Sequence, residues 1–164
     1  MIKLEPFTEK DFEQVIEWVD SKELLITIAG TYFSFPLTSE QLHRYLKDKR
    51  SYSFNIVDAD TEKVIGHAEL VNMGNDVYKI DKLLIGDKEQ RGKGIGEKVM
   101  QLLVQYAFDK LNASTVELNV FDWNTSAIRC YEKTGFKINP AKTAMFKVGD
   151  KEWVALNMIV ENWK

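Results

Sequence analysis

The stretch Gln90-Arg91-Gly92-Lys93-Gly94-Ile95-Gly96 constrains this chain more than any other. It separates an alternating apolar run, Val77–Ile85, from a segment whose apolar residues recur at helical spacing: Ile95, Val99, Leu102, Leu103, Tyr106 and Ala107. A strand, a glycine-rich turn and a long helix therefore follow one another. The first turn of a helix carries main-chain N–H groups with no partner inside the helix, and the helix dipole draws anions to that end. Glycine lets a ligand approach the main chain closely and takes positive φ without steric cost. The unit is a physical site for a phosphate or pyrophosphate, or else a tight turn with no ligand. Two phosphate loops are excluded at residue level. The order Gly-Lys-Gly, with no Ser or Thr after it, is not a Walker A ending. The last position of a Gly-x-Gly-x-x-Gly fingerprint falls on Glu97 or Val99.

The rest of the chain reads as a short strand at Ile2–Glu5, then a helix capped by Thr8 with Phe12, Val15, Ile16 and Val19 on its apolar face. The segment Leu24–Phe35 is apolar and aromatic without clean periodicity and reads as irregular. Thr38 opens a helix with Gln41 in capping-box position. Strands at Ser51–Val57, Val64–Val71 and Val77–Ile85 follow, with Gly74-Asn75 as a hairpin signal between the last two. After the long helix come a strand at Thr115–Phe121, a helix at Ser126–Lys133 ended by Gly135, and two closing strands. This order predicts an α+β fold with a mixed sheet and one βαβ crossover.

Size and charge narrow the function. A chain of 164 residues is expected to form one domain, 1–164, with no repeat or linker. It needs no metal or disulfide staple, and two His with one Cys make a structural zinc site an unpromising reading. A net charge of −3 lacks the basic footprint that nucleic acid demands. No apolar run approaches membrane-spanning or signal-peptide length, so the expected location is cytoplasmic.

A second constellation, Asn124-Thr125-Ser126-Ala127-Ile128-Arg129-Cys130-Tyr131-Glu132-Lys133-Thr134-Gly135-Phe136, makes the glycine segment specific. Alone it is a capped helix with a tyrosine packed on one face. The pair of segments, one helix and one strand apart, resembles the GNAT superfamily of acetyl-CoA-dependent N-acetyltransferases. Arg91 to Gly96 is similar to its R/Q-x-x-G-x-G/A motif, and Asn124-x-x-Ala127-x-x-x-Tyr131-Glu132-Lys133-x-Gly135-Phe136 to its second motif. The lead-in Ile85-Gly86-Asp87-Lys88 resembles the RimJ/RimL-type branch. Ile80-Asp81-Lys82-Leu83-Leu84 and Ala127–Lys133 resemble aminoglycoside 6′-N-acetyltransferases.

The resemblance implies a mostly antiparallel central sheet of about seven strands with a splayed parallel pair, flanked by about four helices. It implies that Arg91, Gly92, Lys93, Gly94, Ile95 and Gly96 hold the coenzyme A pyrophosphate. Pantetheine would pair with the backbone of Leu83, Leu84 and Ile85, and the Asn124 side chain would bond the pantetheine arm. Tyr131 would stand beside the sulfur. A phenol near pKa ~10 is able to protonate a leaving thiolate whose conjugate acid lies near ~8.5. The acceptor would be a primary amine on a small molecule, an aminoglycoside-like compound or a protein N-terminus, attacked directly in a ternary complex without metal.

The base is less determined. An amine of pKa ~10.4 costs roughly 4–5 kcal/mol to deprotonate at pH 7, so a carboxylate or a bound water must help. Related N-terminal acetyltransferases place Glu where this chain has Asn119, which orients a water but takes no proton. Asp81 matches an aspartate that contacts the substrate amine in the aminoglycoside enzymes, and strict alternation puts it on one face with Leu83 and Ile85. Glu69 is the other candidate, and burial of either would raise its pKa. Tyr32, Phe33 and Phe35 are expected near the acceptor site or in the core. His43, His67 and Cys130 read as structural. A coenzyme-binding module without turnover is the alternative function, and a monomer or homodimer the expected assembly.

Overall fold

Branched and aromatic residues alternate with polar ones through most of this chain, and an oxygen-bearing side chain precedes several of its apolar repeats. The computed structural model describes residues 1–162, so the last two positions of the expected 1–164 domain lie outside the described residues. Strand β1 (Ile2–Pro6) leads through a 3₁₀ turn into α1 (Phe12–Trp18), where the Asp11 carboxylate accepts from the Thr8 N–H at 2.9 Å. Next come α2 (Lys22–Ala29) and α3 (Ser39–Leu46). The meander is β2 (Ser51–Asp58), β3 (Lys63–Gly74) and β4 (Val77–Ile85). Then follow α4 (Ile95–Lys110), β5 (Thr115–Phe121), α5 (Thr125–Lys133), β6 (Lys137–Val148) and β7 (Lys151–Glu161).

The seven strands form one sheet in the order β1-β2-β3-β4-β5-β7-β6, antiparallel except for β4 against β5. This is the α+β, mostly antiparallel sheet with a parallel pair expected from the motifs, with five helices in place of about four. The added helix is α2, which lies in the segment read as irregular. Ser21 caps it by accepting from the Leu24 N–H, and Gly30 ends it at φ +56°. The hairpin between β3 and β4 turns on Asn75 and Asp76, both at positive φ, while Gly74 pairs with Val77 as the last rung. Among the described residues no helix is long and apolar enough to cross a membrane.

Two cores sit on the two faces of the sheet. On one face Val99, Met100, Leu103 and Ala107 of α4 pack against Ile56, Leu70, Ile80 and Leu118, with α5 beside them. Truncating a side chain such as Leu103 to alanine would cost about 2–5 kcal/mol. On the other face Phe12, Val15, Leu25, Leu42 and Tyr45 of α1 to α3 pack with Phe7 and Leu84. The sheet is thus the middle of three layers, and the gap between β4 and β5 is open to both outer ones.

Candidate functional site

The parallel ladder is short. It joins Val77–Ile80 to Thr115–Leu118 and ends at the pair Ile80 and Leu118. Beyond it the strands part, so Asp81–Ile85 on β4 and Asn119–Phe121 on β5 present main-chain groups that do not pair with each other. An exposed strand edge of this kind is a template for an extended ligand.

A β-bulge sits at the point of divergence. Asp81 pairs with Glu69 and Leu84 with His67, so Lys82 and Leu83 oppose the single residue Ala68, and Lys82 takes φ +51°. The bulge corrects the expectation of strict alternation. Ile80, Leu83 and Ile85 pack toward the α4 core, whereas Leu84 belongs to the core under α1 to α3. Asp81 therefore shares a face with Leu84, not with Leu83 and Ile85.

On the α4 side a cleft of about 510 Å³ is lined by Leu83, Gly92, Gly94, Gly96, Ala127 and Tyr131 among others. Gly92 and Gly94 have φ +79° and +75°, and a Cβ at either would meet open space. Their lack of side chains keeps the backbone accessible and permits the left-handed turn. Helices α2 and α3 have side-chain caps from Ser21 and Thr38, but Gly94 gives α4 none. The first-turn N–H groups of α4 thus face a cleft without an internal oxygen to satisfy them, a donor set suited to a diphosphate. The Arg91 guanidinium instead donates to the Ile85 carbonyl at 3.0 Å, bracing the loop against the end of β4. Lys93 is exposed and Ile95 packs on the core. Asn124 is the cap residue of α5 and lines neither cleft; its carbonyl accepts from the Ile128 N–H at 3.1 Å.

Tyr131 is half-buried in the α4-side cleft. Burial, and then the neighbouring Cys130, push its phenol up to about 12. It therefore stays protonated at neutral pH and remains a proton donor. Cys130 is itself pushed up by burial, then by Glu97, and is no ready nucleophile.

On the opposite face a second cleft, of about 300 Å³, opens where α2 crosses the gap. Asp81, Lys79, Asn119, Tyr32, Phe121 and Phe146 line it with the last turn of α2. Asn119 is exposed, and its Oδ1 accepts from Asn157 Nδ2 at 3.1 Å. The Asp81 carboxylate accepts from the Lys82 N–H at 2.8 Å and lies 3.6 Å from Lys79 Nζ and 3.7 Å from Lys82 Nζ.

Glu69 lies behind this wall and lines neither cleft. It is fully buried, ion-paired to Lys82 at 2.9 Å, and accepts from the Ser51 hydroxyl. Burial raises its pKa, with Lys82 opposing. Both of its oxygens are thereby engaged away from any substrate. Lys82, which sequence reasoning did not single out, is 3% exposed and stands 3.7 Å from the centroid of the Tyr32 ring. A lysine inside an apolar strand was its available signal. Phe33 packs in the core under α1 to α3, and Phe35 is exposed. His67 is buried against Phe7 and Tyr45, and His43 lies at the surface beside Glu9.

Two clefts thus flank the diverging end of β4, Leu83 lining the one with the glycine loop and Asp81 the other. The model of the acetyltransferase (GNAT) domain matches residues 2–137. The chain belongs to the GNAT acetyltransferase family. The GNAT chain is 25% identical over 160 residues to spermidine N(1)-acetyltransferase of Escherichia coli strain K12, covering 97% of this chain and 85% of that protein. It is 27% identical over 144 residues to the acetyltransferase PseH of Campylobacter jejuni, covering 84% and 86%. The crystal structure of Vibrio cholerae spermidine N-acetyltransferase in complex with CoA and spermine superposes with a TM-score of 0.83 at 18% identity, over 98% of this chain and 95% of that one. These relatives carry neither the RimJ/RimL nor the aminoglycoside name expected from the lead-in residues.

Proposed function

We propose that this GNAT domain moves an acetyl group from acetyl-CoA to a primary amine while both are bound. One observation carries the reading: where β4 parts from β5, its Leu83 lines a glycine-loop cleft holding Tyr131 and its Asp81 lines a second cleft. The relatives whose names specify an amine acceptor support it. The open main chain at Gly92 and Gly94 and the uncapped start of α4 fit a diphosphate, and the Leu83–Ile85 edge, unpaired with β5 though its Ile85 carbonyl is taken by Arg91, fits the amide-bearing arm of the coenzyme. When bound there, acetyl-CoA supplies an activated acetyl thioester and a thiolate leaving group. Tyr131 protonates the departing sulfur. Main-chain N–H groups of the bulged strand near Leu84 polarise the thioester carbonyl. Asp81 attracts the ammonium and accepts its proton directly or through a water that Asn119 orients.

Thiol release from acetyl-CoA across a panel of primary amines tests the proposal. Turnover on at least one amine supports it. Micromolar acetyl-CoA binding by titration calorimetry with no turnover on any amine would favour the binding-module alternative.

A further inference from the structure

Charge around the acceptor-side cleft is already balanced. Of the residues lining it, Lys79 and Asp81 are the charged pair, and they stand 3.6 Å apart. Four carboxylates around that wall are ion-paired, two of them to the same lysine. Asp81 has Lys79 and Lys82, and Glu69 has Lys82 at 2.9 Å. Glu117, buried one rung along β5, has Lys142 at 3.5 Å, and Asp48 beyond Tyr32 has Arg50 at 3.1 Å. One ammonium is able to take its place at Asp81. A second or third, spaced a few carbons away, would meet Lys79 and no further carboxylate among the described residues that line the cleft.

The remaining wall is uncharged, with Ile26, Ile28 and Val120 beside an aromatic pair. Phe121 and Phe146 meet edge to face, with centroids 5.4 Å apart and planes at 85°. Ala29 and Gly30 at the end of α2 line it too, with Ala155 of β7. A Cβ at Gly30 would come within 3.3 Å of the Phe146 ring, so Phe146 packs directly over the end of α2. The Tyr32 ring is already engaged by the Lys82 ammonium, and that face offers no cage for a substrate cation. At about 300 Å³ the cleft is at the small end of ligand pockets and suits a body of one or two rings.

We infer that the acceptor is an arylalkylamine, a single ammonium on a short tether from a flat uncharged ring, and that the Lys79–Asp81 pair with the Phe121–Phe146 wall selects it against polyamines. This rests on the transfer reading above. The amine sits at Asp81, and the ring lies against the Phe121–Phe146 pair. Lys79 is the residue that excludes further positive charge.

The test is kcat/KM of the unaltered protein, at saturating acetyl-CoA, for 2-phenylethylamine, tryptamine, propylamine and spermidine. The expected order puts an arylalkylamine about 100-fold above spermidine and at least about tenfold above propylamine. Lys79→Glu should raise the ratio of spermidine to phenylethylamine turnover by about tenfold or more. Spermidine matching or exceeding both arylalkylamines, or propylamine matching them, overturns the inference while leaving amine transfer standing. An unchanged ratio in Lys79→Glu removes Lys79 as the selector and overturns it as well. Failure of every amine to release thiol overturns the transfer reading itself and this inference with it.

Discussion

Acid should destabilise this protein through one imidazole. His67 is 4% exposed, and burial, followed by the nearby Lys82 cation, lowers its pKa from 6.5 to about 3. Between those values the folded protein keeps the ring neutral while the unfolded chain protonates it. Its contribution to stability is complete above pH 6.5 and is lost as the pH falls toward 3. Linkage between those two pKa values gives a loss of about 2 kcal/mol on going from pH 8 to pH 5. That is a large share of the roughly 5–15 kcal/mol that holds a domain folded. Glu69 acts in the opposite sense: its raised pKa lets the folded state bind a proton more readily as the pH drops. The contribution of the imidazole is isolated by His67→Gln, whose amide is able to reach the Tyr45 hydroxyl that now lies 2.9 Å from Nε2. Urea unfolding of both proteins at pH 8 and pH 5, followed by tryptophan fluorescence, measures it. The parent protein should lose about 2 kcal/mol more than the variant between the two pH values. Equal losses would refute the claim that His67 is held neutral by its surroundings.

Tyr131→Phe should lower kcat by about 100-fold or more while calorimetric acetyl-CoA affinity stays nearly constant; unchanged turnover would remove it as the acid. Gly94→Val introduces a branched side chain at φ +75° and into the open loop, and should weaken CoA binding by about tenfold or more in the same titration. Asp81→Asn should flatten the acidic limb of the pH–rate profile, and an unaltered limb would assign the proton transfer to water alone. Lys82→Met strands the Glu69 carboxylate in the core and should cost about 3–5 kcal/mol, with most of it recovered in Lys82→Met/Glu69→Leu; a double variant as unstable as the single one would contradict the pairing.

The readable parts of the sequence were those with one dominant period. Val77–Ile85 and Thr115–Phe121 have the strand ends that alternation suggests, and the repeat from Ile95 to Ala107 lies within α4. Helix α2 was hidden because apolar residues surround it. Leu25 and Ala29 are buried, while Ile26 and Ile28 line the acceptor-side cleft, so no polar face betrays the period. The bulge at Lys82 was hidden by its chemistry. Positive φ at a lysine leaves no mark in residue type, and without it Asp81 falls on the wrong side of the sheet. The glycine segment and Tyr131 were singled out by their resemblance to paired family motifs, and the structure brings both to one cleft. The closed partnership of Glu69 and Lys82 depends on contacts between β3 and β4, which no local pattern encodes.

The extra residue in β4 has a consequence for how such a protein diversifies. Side chains before it and after it are uncoupled, so a stretch of nine residues furnishes two chambers without compromise between them. Lys79 and Asp81 in one lining are free to change without disturbing Leu83 in the other. Flattening the bulge into regular alternation would undo the arrangement at a stroke by turning Leu83 onto the face of Asp81.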